Sequence, residues 1–141
     1  MIELLVEERI KATVPALRLV GRAAEFQAAA ENNPRVTPAC FVVPMLEQPG
    51  PSISADVMQQ RVVVTVALIF VVRNLSDATG AAAAADLAGL RQAARAQMYG
   101  WSAAPEFEPF ERGNGHLLTF RDGHVWWQDL FITSYYDRSV L

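Results

Sequence analysis

The spacing of apolar and polar positions changes several times along the chain, and each change marks an element. Residues 57–73, Val-Met-Gln-Gln-Arg-Val-Val-Val-Thr-Val-Ala-Leu-Ile-Phe-Val-Val-Arg, are dense in β-branched side chains and contain no Gly or Pro. That composition predicts a strand rather than a buried helix. In its first half Gln59, Arg61 and Thr65 stand between valines in loose alternation. From Val66 to Val72 every position is apolar, as expected of a central strand covered on both faces. A strand over 57–73 would extend roughly 56 Å at ~3.3 Å per residue, whereas a chain of this size forms a globule about 35–40 Å across. The strand must therefore bend at a bulge or send its polar half out as an arm. The arm is the favoured reading, because the preceding segment supplies a partner strand and a connecting loop.

Around this strand the remaining pattern is shorter in period. Residues 2–13 place Ile2, Leu5, Val6 and Ile10 on one helical stripe with Glu3, Glu7 and Lys11 opposite, and Pro15 ends the helix. Residues 16–21 predict a short strand, and Ala-rich 23–32 a short helix stopped at Asn32-Asn-Pro34. A strand over 37–46 is interrupted by Pro38 and Pro44, which favours an edge position. Glu47-Gln-Pro-Gly-Pro-Ser-Ile-Ser-Ala-Asp56 reads as a loop, so 39–46 and 57–73 form a long hairpin with 47–56 at its tip. Ser76 or Asp77 caps the longest helix, 78–99, whose Leu87, Leu90, Ala94 and Met98 recur at helical spacing and face the sheet. Gly100 stops it, with Trp101 packing back on the last turn. Strands are expected at 107–112, 116–120 and 125–136, divided by Gly113-Asn-Gly115 and by an Asp122-Gly123 hairpin turn. That turn sets Phe120 opposite Val125, Leu118 opposite Trp127 and His116 opposite Asp129. Leu118, Phe120, Val125, Trp127 and Phe131 then share one face, and Thr119, Arg121, His124, Trp126 and Gln128 the other. Val66, Leu68, Phe70 and Trp127 belong to the core, and Trp126 to an exposed face.

The expected fold is thus α+β: one domain over 1–141, with a mainly antiparallel mixed sheet packed against one long helix and short N-terminal helices, and a long projecting β-hairpin. Composition agrees, since 52% of residues are hydrophobic and 19% charged, which describes a chain that folds. No apolar run reaches the length of a membrane span. The N-terminus carries acid where a signal peptide carries base, so a cytoplasmic origin is expected. A net charge of −3 and a pI near 5.3 argue against a nucleic-acid-binding face.

Candidate chemistry is sparse. One cysteine, Cys40, in an apolar run leaves no internal disulfide and no cysteine metal site. Gly113-Asn-Gly-His116 lacks the helix and spacing of a phosphate-binding loop. His116 and His124 fall on opposite faces in the register above, which separates them as metal ligands. His116 opposite Asp129 resembles part of a base–orienter pair, but no nucleophile is placed beside it. The alternative it leaves is a small α+β enzyme with that pair in a pocket lined by Trp126. No catalytic, cofactor-binding or metal residue is assigned.

The order of motifs is itself informative. Thr37-Pro-Ala-Cys-Phe-Val-Val-Pro44 precedes a Pro/Gly loop, Gln60-Arg-Val62 heads the Val-rich strand, and Val72-Arg-Asn-Leu-Ser-Asp-Ala-Thr-Gly80 leads into an Ala-rich helix. Gly100-Trp101 follows, and the chain closes with Trp126-Trp-Gln-Asp-Leu-Phe131. Across nearly its whole length the chain resembles the tail terminator (tail completion) proteins of long-tailed phages and prophages, related in role to the tail terminator of lambda. The resemblance implies a structural virion protein at the head-proximal end of the tail, assembled in the host cytoplasm. It implies a six-membered ring of this chain that caps the tail tube, stops its polymerisation and offers the docking face for the head. The implied partners are the chain itself, the tail tube protein and a head–tail connector protein, with DNA passing through the lumen unbound, and no cofactor or membrane. Another head–tail connector or tube ring protein is the closest alternative. Within this reading Gln48, Pro49, Pro51, Ile53, Gln59, Gln60 and Arg61 are expected to contact the tube or a neighbour from the arm, whose tip is expected to be mobile until it makes that contact. Trp126 and the small-residue helix face Ala81–Ala85 are expected subunit contacts.

Overall fold

The computed structural model describes residues 1–73 and 81–140. Its elements, in chain order, are α1 (Ile2–Thr13), β1 (Leu19–Gly21), α2 (Ala23–Asn32), β2 (Ala39–Pro49), β3 (Gln59–Arg73), α3 (Ala81–Met98), β4 (Glu111–Arg121) and β5 (His124–Arg138). The strands form one sheet in the order β1-β2-β3-β5-β4. Only β1 and β2 run parallel, and the other neighbours are antiparallel. The long apolar strand β3 lies at the centre, and β2 and β3 form the expected long hairpin.

Two helical layers explain the pattern in β3. Its even-numbered residues from Val62 to Val72 join Val6, Ile10, Leu87, Leu90 and Met98 in the main core, under α1 and α3. Its odd-numbered Ala67, Ile69 and Val71 join a second cluster with Ala29 and Phe41, under α2. Before Ala67 the second face is not sealed, and Val63 and Thr65 are half-buried. Alternation therefore holds where one layer covers the strand and disappears where two do.

Several boundaries differ from expectation for local reasons. β2 continues to Pro49 rather than ending at Leu46, so the loop begins at Gly50. Nor is the start of β2 an edge, because Ala39–Phe41 pairs with Leu19–Gly21 of β1; the edge is free only from Val42 onward. Pro44 and Pro49 stand opposite Val66 and Val62. Lacking an N–H, each is tolerated only where it turns its nitrogen away from β3, toward that free edge. A bulge at Met45 separates the two. The strand length is thus accommodated by both devices, a bulge in the partner and projection of the polar half.

β4 is one strand where two were expected. Gly113-Asn-Gly115 does not break it but forms a bulge between Arg112 and Gly115, and a second bulge lies between Leu117 and Thr119. The hairpin turn is as expected: Asp122 (φ 50°) and Gly123 (φ 73°) both adopt the left-handed conformation that a two-residue turn of this hand requires. The start of α3, with Ser76 and Asp77, lies outside the described residues. Its end follows expectation, with Gly100 at φ 80°. The Gly100 N–H donates to Phe110 O (2.9 Å), and the Phe110 N–H donates to Trp101 O (2.9 Å), tying the helix end to the entry of β4. Trp101 then stacks on Phe110 with ring centroids 6.0 Å apart.

Candidate assembly interface

The polar half of β3 extends as a three-stranded arm rather than a two-stranded one. On one side Val62–Val64 pairs with Pro49–Glu47. On the other, Gln59, Gln60, Arg61 and Val62 pair with Arg138, Asp137, Tyr136 and Tyr135 of β5. The tip closes on itself through polar contacts. Gly50 N–H donates to Arg61 O and Ile53 N–H to Gln59 O, each at 2.8 Å. Ser52 Oγ donates to Ser54 O (2.9 Å) and accepts from Gln59 N–H (3.1 Å). Gln60 Nε2 donates to Gly50 O at 2.8 Å. Met58 and Ser139 exchange two further bonds across to the end of β5. These bonds close the tip into a defined turn.

The candidate contact residues divide accordingly. Gln48, Pro49, Pro51, Ile53 and Arg61 are exposed, and Gln59 and Gln60 are half-buried by the tip's own bonds. Ile53 is 64% exposed, and Met58 beside it is also an exposed large apolar residue. The sequence reading missed Met58, Leu46 and Tyr136, all exposed on the arm. Leu46 follows the bulge at Met45, which resets the inward–outward alternation that would have revealed it. On the first face of the arm, Phe107 and Tyr135 meet edge to face at 5.7 Å. Burial, followed by Glu47 and Asp137, raises the Tyr135 hydroxyl above its ordinary pKa.

Trp126 requires a correction. It is 3% exposed rather than on an open face. Its ring meets Phe26 at 6.2 Å beneath α2, its Nε1 donates to Asn33 Oδ1 at 3.2 Å, and Arg121 lies over it. In β3 and β5 alike, α2 turns the second face into core. Of Ala81–Ala85 only Ala83 is buried, against the sheet. Leu118 and Phe120, expected on one face with Trp127, are exposed, and among the described residues no helix covers β4.

The expected His116–Asp129 pair is also overturned. The bulge at Leu118 shifts the ladder, so His116 stands opposite Gln128 and Asp129 opposite Gly115. Asp129 instead accepts two bonds from Arg91, at 2.8 and 3.0 Å, and one from Trp127 Nε1 at 2.9 Å. Arg91 also lies over the Trp127 ring, 4.3 Å from its centroid. The cluster clamps α3 onto β5. The same shift puts His116 and His124 on one face rather than on opposite faces, because Gln128 and His124 are both even-numbered in β5. Among the described residues no group of three His, Cys, Asp or Glu is placed to hold a metal ion. Cys40 is fully buried, and burial pushes its thiol far above the ordinary range, which leaves it inert.

Charged and polar groups here serve tertiary contacts, while large apolar side chains lie exposed on the arm and on an edge strand. The sequence matches the family described as phage tail terminator protein over residues 3–139, and the chain belongs to that family. No curated protein matches it. Its role is that of a structural component of the phage virion, in the tail.

Proposed function

We infer that copies of this chain form a ring, six to a turn, that caps the tail tube, stops its polymerisation and presents the surface on which the head docks through a connector protein. The observation that carries the reading is the arm. Residues 47–61 project on three paired strands, end in exposed Ile53 and Met58, and gain little from the chain's own core. An apolar tip on a pre-ordered polar scaffold suits docking against another protein, because little ordering entropy is lost on contact. Gln48, Pro49, Pro51 and Arg61 flank Ile53 in that contact. The acidic balance of the chain, −3 overall, suits a lumen through which DNA passes, since each phosphate held by a basic side chain adds affinity.

Replacing Gln48–Ala55 by Asn-Gly tests the arm. The variant removes only exposed or half-buried residues, and shortening a loop changes closure entropy little, so it is expected to fold. Tails made with it are expected to run over-length or fail to join heads in electron micrographs. Ile53→Asp should show the same defect in milder form. Normal-length, head-joined tails from both variants would overturn the arm.

A further inference from the structure

β4 is the least protected element of the fold. It is an edge strand, and Leu117 (51% exposed), Leu118 (39%) and Phe120 (57%) are all open to solvent. Long edges of this kind are ordinarily blunted, because their unpaired N–H and C=O groups template another strand. The opposite edge, along β2, is blunted by Pro44 and Pro49. β4 carries no proline.

The register of β4 identifies what fits it. The two-residue turn makes Arg121–His124 a hydrogen-bonded pair, and alternation from there, reset at each bulge, fixes which backbone groups turn away from β5. Those belong to Arg112, Gly115, Leu117 and Phe120, at spacings of three, two and three. A regular strand presents such groups every second residue and can match only the middle pair. A second β4 laid antiparallel about His116 matches all of them. Arg112 meets Phe120 of the other copy, Gly115 meets Leu117, and the two bulges fall opposite each other. The flanks agree in charge, for Glu111 stands opposite Arg121 at both ends. Side chains agree in face, since Arg112, Gly115, Leu117 and Phe120 lie opposite Phe131, Asp129, Trp127 and Val125, all odd-numbered in β5. Each Leu117 then lies beside the other copy's Gly115, whose side-chain place is taken by the Asp129 carboxylate, the Arg91 guanidinium and the Trp127 indole.

We propose that the free edge of β4 is a self-pairing site, through which two copies of this chain join antiparallel about a two-fold axis at His116 into one ten-stranded sheet. The contact is isologous and closes at two copies. It uses none of the arm, and, being two-fold, it joins copies outside the ring, whose two faces must differ. Its apolar content comes from Leu117 and Phe120 of both copies, and its specificity from the shared irregular spacing.

A residue on a two-fold axis meets its own counterpart, which gives a direct test in the full-length protein. In this register His116 forms a non-hydrogen-bonded pair with itself, with Cα atoms about 4.5 Å apart, within disulfide reach. His116→Cys, oxidised by air with copper phenanthroline, is expected to convert to a disulfide-linked dimer, two thiols yielding one disulfide as oxygen is reduced. Thr119→Cys meets Gly113 of the other copy instead, so its dimer yield is expected to be at least tenfold lower. Buried Cys40 contributes to neither. Adding Leu117→Lys to His116→Cys removes half of the apolar content and sets a cation beside the other copy's Arg91, whose Asp129 partner is already engaged, and is expected to lower the yield by a similar factor, with the circular dichroism spectrum unchanged. Equal crosslinking of His116→Cys and Thr119→Cys, or none of the former, would overturn the proposal.

Discussion

Asp129 and Gly115 show how much one missing methyl group decides. A Cβ at Gly115 would lie 2.4 Å from Asp129 Oδ1 and 3.3 Å from the Arg91 guanidinium. The carboxylate occupies that space in order to accept from both Arg91 and the Trp127 indole. Gly115→Ala must displace it, leaving a largely buried acid short of partners, and is expected to lower stability by about 1–3 kcal/mol in urea unfolding. Asp129→Asn retains the space and the Trp127 acceptor but loses the charge-assisted bonds, so it should cost less than Gly115→Ala. The reverse order would mean that the ion pair, not the space, holds the site.

At the scale of elements, α3 is amphipathic in an unusual way, with Leu87, Leu90, Ala94 and Met98 buried and a mainly small, weakly charged outer face. Its attachment depends on those few large side chains and on Arg91. Leu90→Asp places an unpaired charge in the main core and is expected to cost about 3 kcal/mol or more; a variant that melts like the parent would mean the helix face is misassigned. The β4–β5 hairpin depends instead on its turn. Gly123 at φ 73° tolerates a β-branched residue poorly, and Gly123→Val is expected to cost about 1–2 kcal/mol. The loss should appear as faster amide exchange in β4 before β3, because β4 is held by one neighbour and no helix.

For the whole molecule the decisive feature is asymmetry between ends and edges. The arm ends in exposed apolar side chains, one sheet edge is guarded by prolines and the other is open. In the proposed capping role the chain acts once per tail, whereas a tube protein would repeat. Gold-labelled antibody against this chain is therefore expected to mark completed tails at one position, the head-proximal end. Label repeating along the tube would identify a tube protein instead.

Local pattern alone determined the helices at 2–13 and 23–32, the central strand, the Asp122-Gly123 turn and the burial of Leu87, Leu90 and Met98. In each case the deciding interactions lie within a few residues, or a single periodicity names the buried face. The order of motifs also carried the family resemblance. Tertiary structure alone decided the rest. Trp126 is core because α2, distant in sequence, covers its face, and alternation within β5 cannot reveal which face another element will cover. His116 lost Asp129 because the bulge at Leu118 moves the ladder by one residue, as the bulge at Gly113-Asn114 does again beyond it, and a bulge is fixed by the two strands together. The same two bulges give the outer edge of β4 its irregular spacing, a property of three-dimensional pairing that no single strand displays.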